Sequence, residues 1–218
     1  MKLSESFLKL ANSFLNIIVS IVLFTIGAYA VYALWDNNTV YSAAKNVQQE
    51  MLNLKPGVDG ASFEELLLIN QDVSAWVSLD NTSIDHPILQ GETNLSYINT
   101  DVYGEFALAG SIFLDTRSKR DFSAPYSLVY GHDMVQGRMF GDLPLYKDEV
   151  FFKKNKTGEL ILPDRSYSLK IYAVILTNSH DDMIFNPDRY KDGLSNLIKY
   201  TEENALYLHE EMTEDLRN

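Results

Sequence analysis

The stretch SLVYGHDMVQGRMFGDLPLY, Ser127 to Tyr146, decides how this chain folds and where its chemistry sits. It opens on a short apolar run, Ser127-Leu128-Val129-Tyr130, that reads as a strand. Gly131 follows, a residue free to take backbone geometry that other residues resist. His132 comes next, so it emerges at a strand end, where a rigid scaffold presents a loop residue to solvent. Arg138 to Leu145 then reads as a short helical piece.

Working outward, the same pattern of short strands and turns recurs. Ala75–Leu79, Ile84–Leu89, Ser111–Leu114, Tyr126–Tyr130, Glu159–Leu162 and Tyr167–Thr177 read as strands. Pro87 places the second of them at an edge or a strand end. Short helical pieces are expected near Asn94–Ile98 and Glu149–Asn155. A longer one is expected over Arg189–Glu211, where Leu194, Leu197, Ile198, Thr201, Ala205 and Leu208 share a face. Upstream, Val40, Ala44, Val47, Met51 and Leu54 mark a helix that stops at Lys55-Pro56-Gly57. Ser62 with Glu65 three residues later reads as a capping box that opens a second helix, running to about Asn70. Many short strands separated by turns predict a small barrel or sandwich, mainly β with helical insertions.

The N-terminus predicts a membrane anchor. Leu10 to Trp35 is 26 residues without a charge, and about 20 apolar residues suffice to span a bilayer as a helix. Lys2 and Lys9 precede the span and Asp36 follows it, which predicts a cytoplasmic segment 1–9, an anchor 10–35 and an extracytoplasmic domain 36–218. A cleaved signal peptide is the weaker reading, because the apolar run exceeds a signal core of about 7–15 residues and no clean A-x-A site follows it.

Composition narrows the chemistry. The 218 residues carry 18 basic and 30 acidic side chains, a net charge of −12. Setting aside Lys2, Lys9 and Glu5 leaves 16 basic and 29 acidic side chains beyond Trp35. A nucleic-acid binder needs a basic face, so no nucleic-acid partner is expected. The chain has no cysteine, which excludes disulfides, thiolate metal sites and a cysteine nucleophile within these residues. No metal and no cofactor are expected. Of the four histidines, His209 falls on the expected last helix, His86 precedes Pro87 in a strand, and His180 lies in Asn178-Ser179-His180-Asp181-Asp182, a loop or a weak cation site. These three read as structural or exposed residues. His132 is the one placed for chemistry.

The segment from Val129 to Tyr146 resembles the active-site histidine region of class B sortases. Asn70–Val77, Ile84–Gln90 and Gly110–Asp115 are similar to stretches that precede that histidine, and Tyr146–Phe152 is similar to the helix after it. The resemblance runs over about residues 40 to 217. It implies an eight-stranded sortase barrel on the outer face of a Gram-positive membrane. It implies transpeptidation, in which a cysteine thiolate attacks a carbonyl in the sorting signal of a surface protein or pilin, and an amine of cell wall or another pilin resolves the acyl-enzyme. It gives His132 the role of partner to the cysteine and general acid, with an arginine at the oxyanion.

The chain departs from that pattern in one respect. The family's cysteine lies in a Thr-Cys step on a strand after the last helix, and its arginine on the next strand. Here the sequence reaches Asn218 just after that helix, and Arg217 does not match the family arginine. Ser111 is a strand residue with no nucleophile-elbow sequence around it, so it is no substitute. The expectation is a C-terminally incomplete sortase domain without its last two strands, inactive alone. Two alternatives stand beside it: half of an enzyme completed by a separate C-terminal fragment, and a non-catalytic module that binds sorting-signal peptides.

Overall fold

The computed structural model describes residues 2–57 and 62–217. Two compact units divide the chain, Met1–Ser42 and Ala43–Asn218. Helix α1, Lys2–Leu52, begins in the first and ends in the second. The sequence pattern predicts an apolar span and a separate helix; the structure has one continuous helix, since no proline or turn signal separates them. Its apolar side chains, Phe24 and Leu34 among them, are exposed, and the helix is long and apolar enough to cross a membrane. Thr25 and Thr39 donate their hydroxyls to the carbonyls of Ile21 and Trp35, at 2.9 and 2.7 Å. Those polar side chains are therefore satisfied inside the helix.

In the body, α2 (Phe63–Ile69) precedes a strand-rich core. Ser62 holds the N-cap position, but its side chain makes no capping bond; only its carbonyl accepts, from Glu65 N–H at 3.3 Å. The expected reciprocal capping box is thus not formed.

The main sheet joins β1 (Val73–Leu79), β2 (Asp85–Leu89), β3 (Ile112–Leu114), β4 (Val129–Tyr130), β7 (Thr157–Ile161) and β8 (Ser166–Lys170) in the order β4-β3-β2-β1-β7-β8. All neighbours are antiparallel except β2 and β3, which run parallel. The long segment from Gln90 to Ser111 makes that parallel crossover. Two small pairs complete the strands: β5 (Asp133–Met134) with β6 (Arg138–Met139), and β9 (Ala173–Ile175) with β10 (Ala205–Leu208).

Both faces of the sheet are buried over β1, β2 and β3. On one, Ala75, Val77, Ile88, Ile112, Leu114 and Leu160 pack with Met139. On the other, Val73, Trp76, Leu89 and Phe113 pack under Met51, Phe63, Leu66, Tyr97 and Val102. Val73 and Trp76 share a face despite their odd spacing because the pairing with β2 shifts between Val73 and Ala75. Ser74, inside that bulge, donates its hydroxyl to Ile88 O at 3.1 Å.

Three helical expectations give way. Arg138–Leu145 is strand β6, a turn and the 3₁₀ segment Leu143–Lys147, because Gln136, Gly137 and Met139 all take positive φ. Asn94–Ile98 is a pair of single turns, Ser96 N–H to Thr93 O and Ile98 N–H to Leu95 O. There the Thr93 hydroxyl takes up Leu95 N–H and competes with a helix. Of Arg189–Glu211, only Ser195–Asn204 is α-helix (α4). Gly193, at φ 137°, interrupts the chain before it, and Ala205–Leu208 pairs with β9 instead of continuing the turn. The expected strand Tyr167–Thr177 is split between β8 and β9. Helix α3 (Glu149–Lys154) forms where expected, with the Asp148 carboxylate accepting Phe151 N–H at 2.8 Å.

Candidate active site

His132 stands just beyond β4 and just before β5. Its backbone is fixed from both sides. Its carbonyl accepts Phe140 N–H at 2.9 Å across the β5–β6 hairpin. A Cβ on Gly131 would collide with the side chains of Ile112 and Phe140, so a larger residue where the chain leaves the sheet would force these neighbours to shift. The imidazole is half-buried, and its Nε2 lies 3.0 Å from Ile98 O. A carbonyl can only accept, so this contact is a hydrogen bond when Nε2 carries the proton. Among the described residues, Nδ1 has no hydrogen-bond partner.

The crossover segment that supplies Ile98 lies against the sheet through Tyr97. The Tyr97 hydroxyl donates to Asp72 at 2.8 Å and accepts from the Asn70 amide at 3.0 Å. Burial, together with the Asp72 carboxylate, pushes that phenol up to about 12. The apolar side chains of Leu95, Phe106 and Leu108 on the same segment are exposed.

Two residues before His132, Tyr130 donates its hydroxyl to Asp115 Oδ2 at 2.9 Å. Asp115 has no solvent-exposed surface. Its carboxylate also accepts Asn94 Nδ2 at 2.8 Å, Arg117 N–H at 2.8 Å and a two-pronged contact from the Arg117 guanidinium at 2.8 and 2.9 Å. Burial alone would raise this carboxyl; the bonds from Arg117, Tyr130 and Asn94 overcome it and hold the acid below its ordinary value. Burial and the Asp115 carboxylate push the Tyr130 phenol up to about 12. Arg117 also donates to Phe185 O at 2.8 Å, and the Phe185 ring stacks on Tyr130 at 6.3 Å. One buried carboxylate thus ties β3, the crossover, the strand leading to His132 and the 181–190 loop together.

The other sequence candidates lie apart from this arrangement. His86 is buried beside Gln48, whose amide donates to Ser83 O at 2.8 Å and lies 3.3 Å from His86 Nε2. Burial lowers His86 from 6.5 to about 4, with Arg138 adding to the effect and Asp85 and a bond to the Met139 backbone opposing it. His209 is not on a helix. It follows β10 and is buried, with its ring stacked on Phe152 at 4.2 Å and its Nδ1 3.4 Å from Glu211. His180 is exposed, and the loop's carboxylates are engaged locally: Asp181 by Thr177 and Tyr200, Asp182 by Asn186 and Arg189. Ser111 is buried and donates to Thr100 O at 2.8 Å. Arg217 closes α5 (Thr213–Arg217).

Sequence reading does not find Ile98, Asp115 or Arg117 as parts of this arrangement, nor Gly110, where a Cβ would fall within 3.0 Å of Ile98 O. Gly110, in Ala109-Gly110-Ser111, is the one with a visible signal, since a glycine between a loop and a strand marks a close approach.

No family model matches the chain. A sortase B of Staphylococcus aureus is 34% identical over 122 residues, 56% of this chain and 50% of that protein. A sortase B of Listeria monocytogenes is 35% identical over 117 residues, 54% of this chain and 48% of that protein. The chain thus spans about half the length of these relatives. Among solved structures, a class B sortase of Streptococcus pyogenes involved in pilus biogenesis superposes with a TM-score of 0.65 at 39% identity, over 72% of this chain and 83% of that one. A Staphylococcus aureus sortase B–substrate complex superposes at 0.62 with 28% identity, over 78% of each chain. The fold is that of a class B sortase. The chain belongs to the class B sortase family.

Proposed function

We propose that this chain is the histidine-bearing body of a membrane-anchored acyl-transfer enzyme that acts on sorting-signal peptides of surface proteins or pilins. The observation that carries the reading is His132, held at the end of β4 with Nε2 engaged by Ile98 and Nδ1 unengaged. Segment 10–35 anchors it, residues 1–9 lie in the cytoplasm and residues 36–218 lie outside, which the placement of Lys2, Lys9 and Asp36 supports.

In this reading a thiolate attacks the scissile carbonyl of the peptide. As the tetrahedral adduct collapses, the departing amine takes a proton from the His132 imidazolium and a thioester remains. An acceptor amine then attacks the thioester and gives its proton to His132, and the thiolate leaves. The thiol and the arginine for the oxyanion come from residues outside these 218, which contain no cysteine. That same absence favours a second reading, in which these residues bind sorting-signal peptides without cleaving them.

The intact mass of the protein in native membranes, before and after a thiol-alkylating reagent, separates the two. The enzyme reading expects a mass above that of the 218 residues, one alkylated thiol, and loss of peptide cleavage on alkylation. A mass equal to the 218 residues with no alkylation, and no separate thiol-bearing fragment that restores cleavage, overturns it and leaves the binding reading.

A further inference from the structure

We propose that the Ile98 carbonyl, seated against Gly110, fixes His132 as its Nε2–H tautomer, so that Nδ1 is the nitrogen that moves protons in the reaction. The inference rests on the reading of His132 as the proton-transfer residue, and it adds two positioning residues, Ile98 and Gly110, that act through its imidazole.

The geometry is over-determined. Ile98 O stands 3.0 Å from Nε2. The backbone around it is clamped: Tyr97 O accepts Ser111 N–H at 3.0 Å, and Asn99 O accepts Ala107 N–H at 3.1 Å. Thr100 O accepts the Ser111 hydroxyl at 2.8 Å. Gly110, at φ +58°, lies directly on this strip. A Cβ there would fall within 3.0 Å of both Ile98 O and Tyr97 O. The missing side chain is therefore what allows the Ile98 carbonyl to occupy the place from which it accepts the His132 proton. A single net hydrogen bond biases a two-state choice by roughly fivefold, enough to make one tautomer dominant. A neutral His132 with its proton on Nε2 offers a lone pair only at Nδ1, so the nucleophile and the leaving amine must approach that nitrogen.

The test is a long-range ¹H–¹⁵N correlation spectrum of the full chain in detergent micelles, ¹⁵N-labelled at histidine, above neutral pH. His132→Gln assigns the signal among the four histidines. The expected pattern for His132 is a protonated Nε2 and a bare Nδ1. Gly110→Ala should move His132 toward a mixture of tautomers while the other three histidines keep their signals. Gly104→Ala is the control, because Gly104 also has positive φ but a Cβ there meets nothing within 4 Å; it should leave His132 unchanged. A protonated Nδ1 or a tautomer mixture in the unaltered chain overturns the proposal, and that spectrum decides even where Gly110→Ala does not fold. A folded Gly110→Ala protein with an unchanged His132 overturns the role of Gly110. The functional reading fails separately: peptide cleavage by the native protein that survives His132→Gln removes it without touching the tautomer.

Discussion

Acidification should unload stability through His86, and the structure sets the size of the effect. The imidazole is buried, with Nε2 beside the Gln48 amide that also donates to Ser83 O. A proton added at Nε2 would turn that contact from donor–acceptor to donor–donor, in a place where Asp85 only partly compensates and Arg138 repels. The folded chain therefore refuses the proton down to about pH 4, whereas an unfolded chain accepts it near 6.5. Between those values the unfolded state binds more protons, so stability rises with pH. The contribution is complete above pH 6.5 and is lost as pH falls toward 4. A fall from 6.5 to about 4 corresponds to roughly 3 kcal/mol, of which roughly 2 kcal/mol is gone by pH 5. The assay is urea unfolding of the full chain in micelles at pH 7.5 and pH 5, followed by fluorescence of the fully buried Trp76 with Trp35 replaced by Phe. His86→Gln should remove this part of the pH dependence, since glutamine does not titrate, and the other acids cancel in the comparison. Equal losses of stability on acidification, with His86 intact and with His86→Gln, would refute the argument.

Other outcomes follow from the same contacts. Asp115→Asn keeps the shape but removes the charge that pairs Arg117, so unfolding stability should fall by about 3–5 kcal/mol; proteolysis within 181–190 should quicken, because Arg117 anchors Phe185 O through that pair. A loss below about 1 kcal/mol would contradict this. Gly131→Ala drives a Cβ into Ile112 and Phe140 and should cost about 1–3 kcal/mol by urea unfolding. Leu66→Ala empties a fully buried site under the sheet and should cost about 2–5 kcal/mol by the same measurement. Deleting residues 10–35 should move the protein from the membrane pellet to the soluble fraction, and retention in the pellet would count against the anchor.

The parts of the fold that local pattern controls were legible. The strands around Trp76, Ile88 and Phe113 alternate or run apolar, and the turn at Gly131 marks where the chain leaves the sheet. Ala205–Leu208 was not legible as a strand, because Ala205 and Leu208 continue the helical spacing of Leu197, Ile198 and Thr201; pairing with β9 overrides the period. The β5–β6 hairpin was hidden for a related reason, since Gln136 and Met139 take positive φ without being glycine. The position of His132 at a strand end could be read from its neighbours. Its partner could not, because Ile98 contributes a backbone carbonyl from 34 residues away. Asp115 was equally silent, since its role depends on Asn94, Tyr130 and Arg117 meeting only once the crossover is folded.

The central claim, that His132 carries the protons of acyl transfer, is tested most directly by the initial rate of sorting-signal peptide cleavage by the native, thiol-bearing protein with His132 and with His132→Gln. The account predicts a fall of about a hundredfold to ten-thousandfold with peptide binding retained. Equal rates in the two proteins would contradict it.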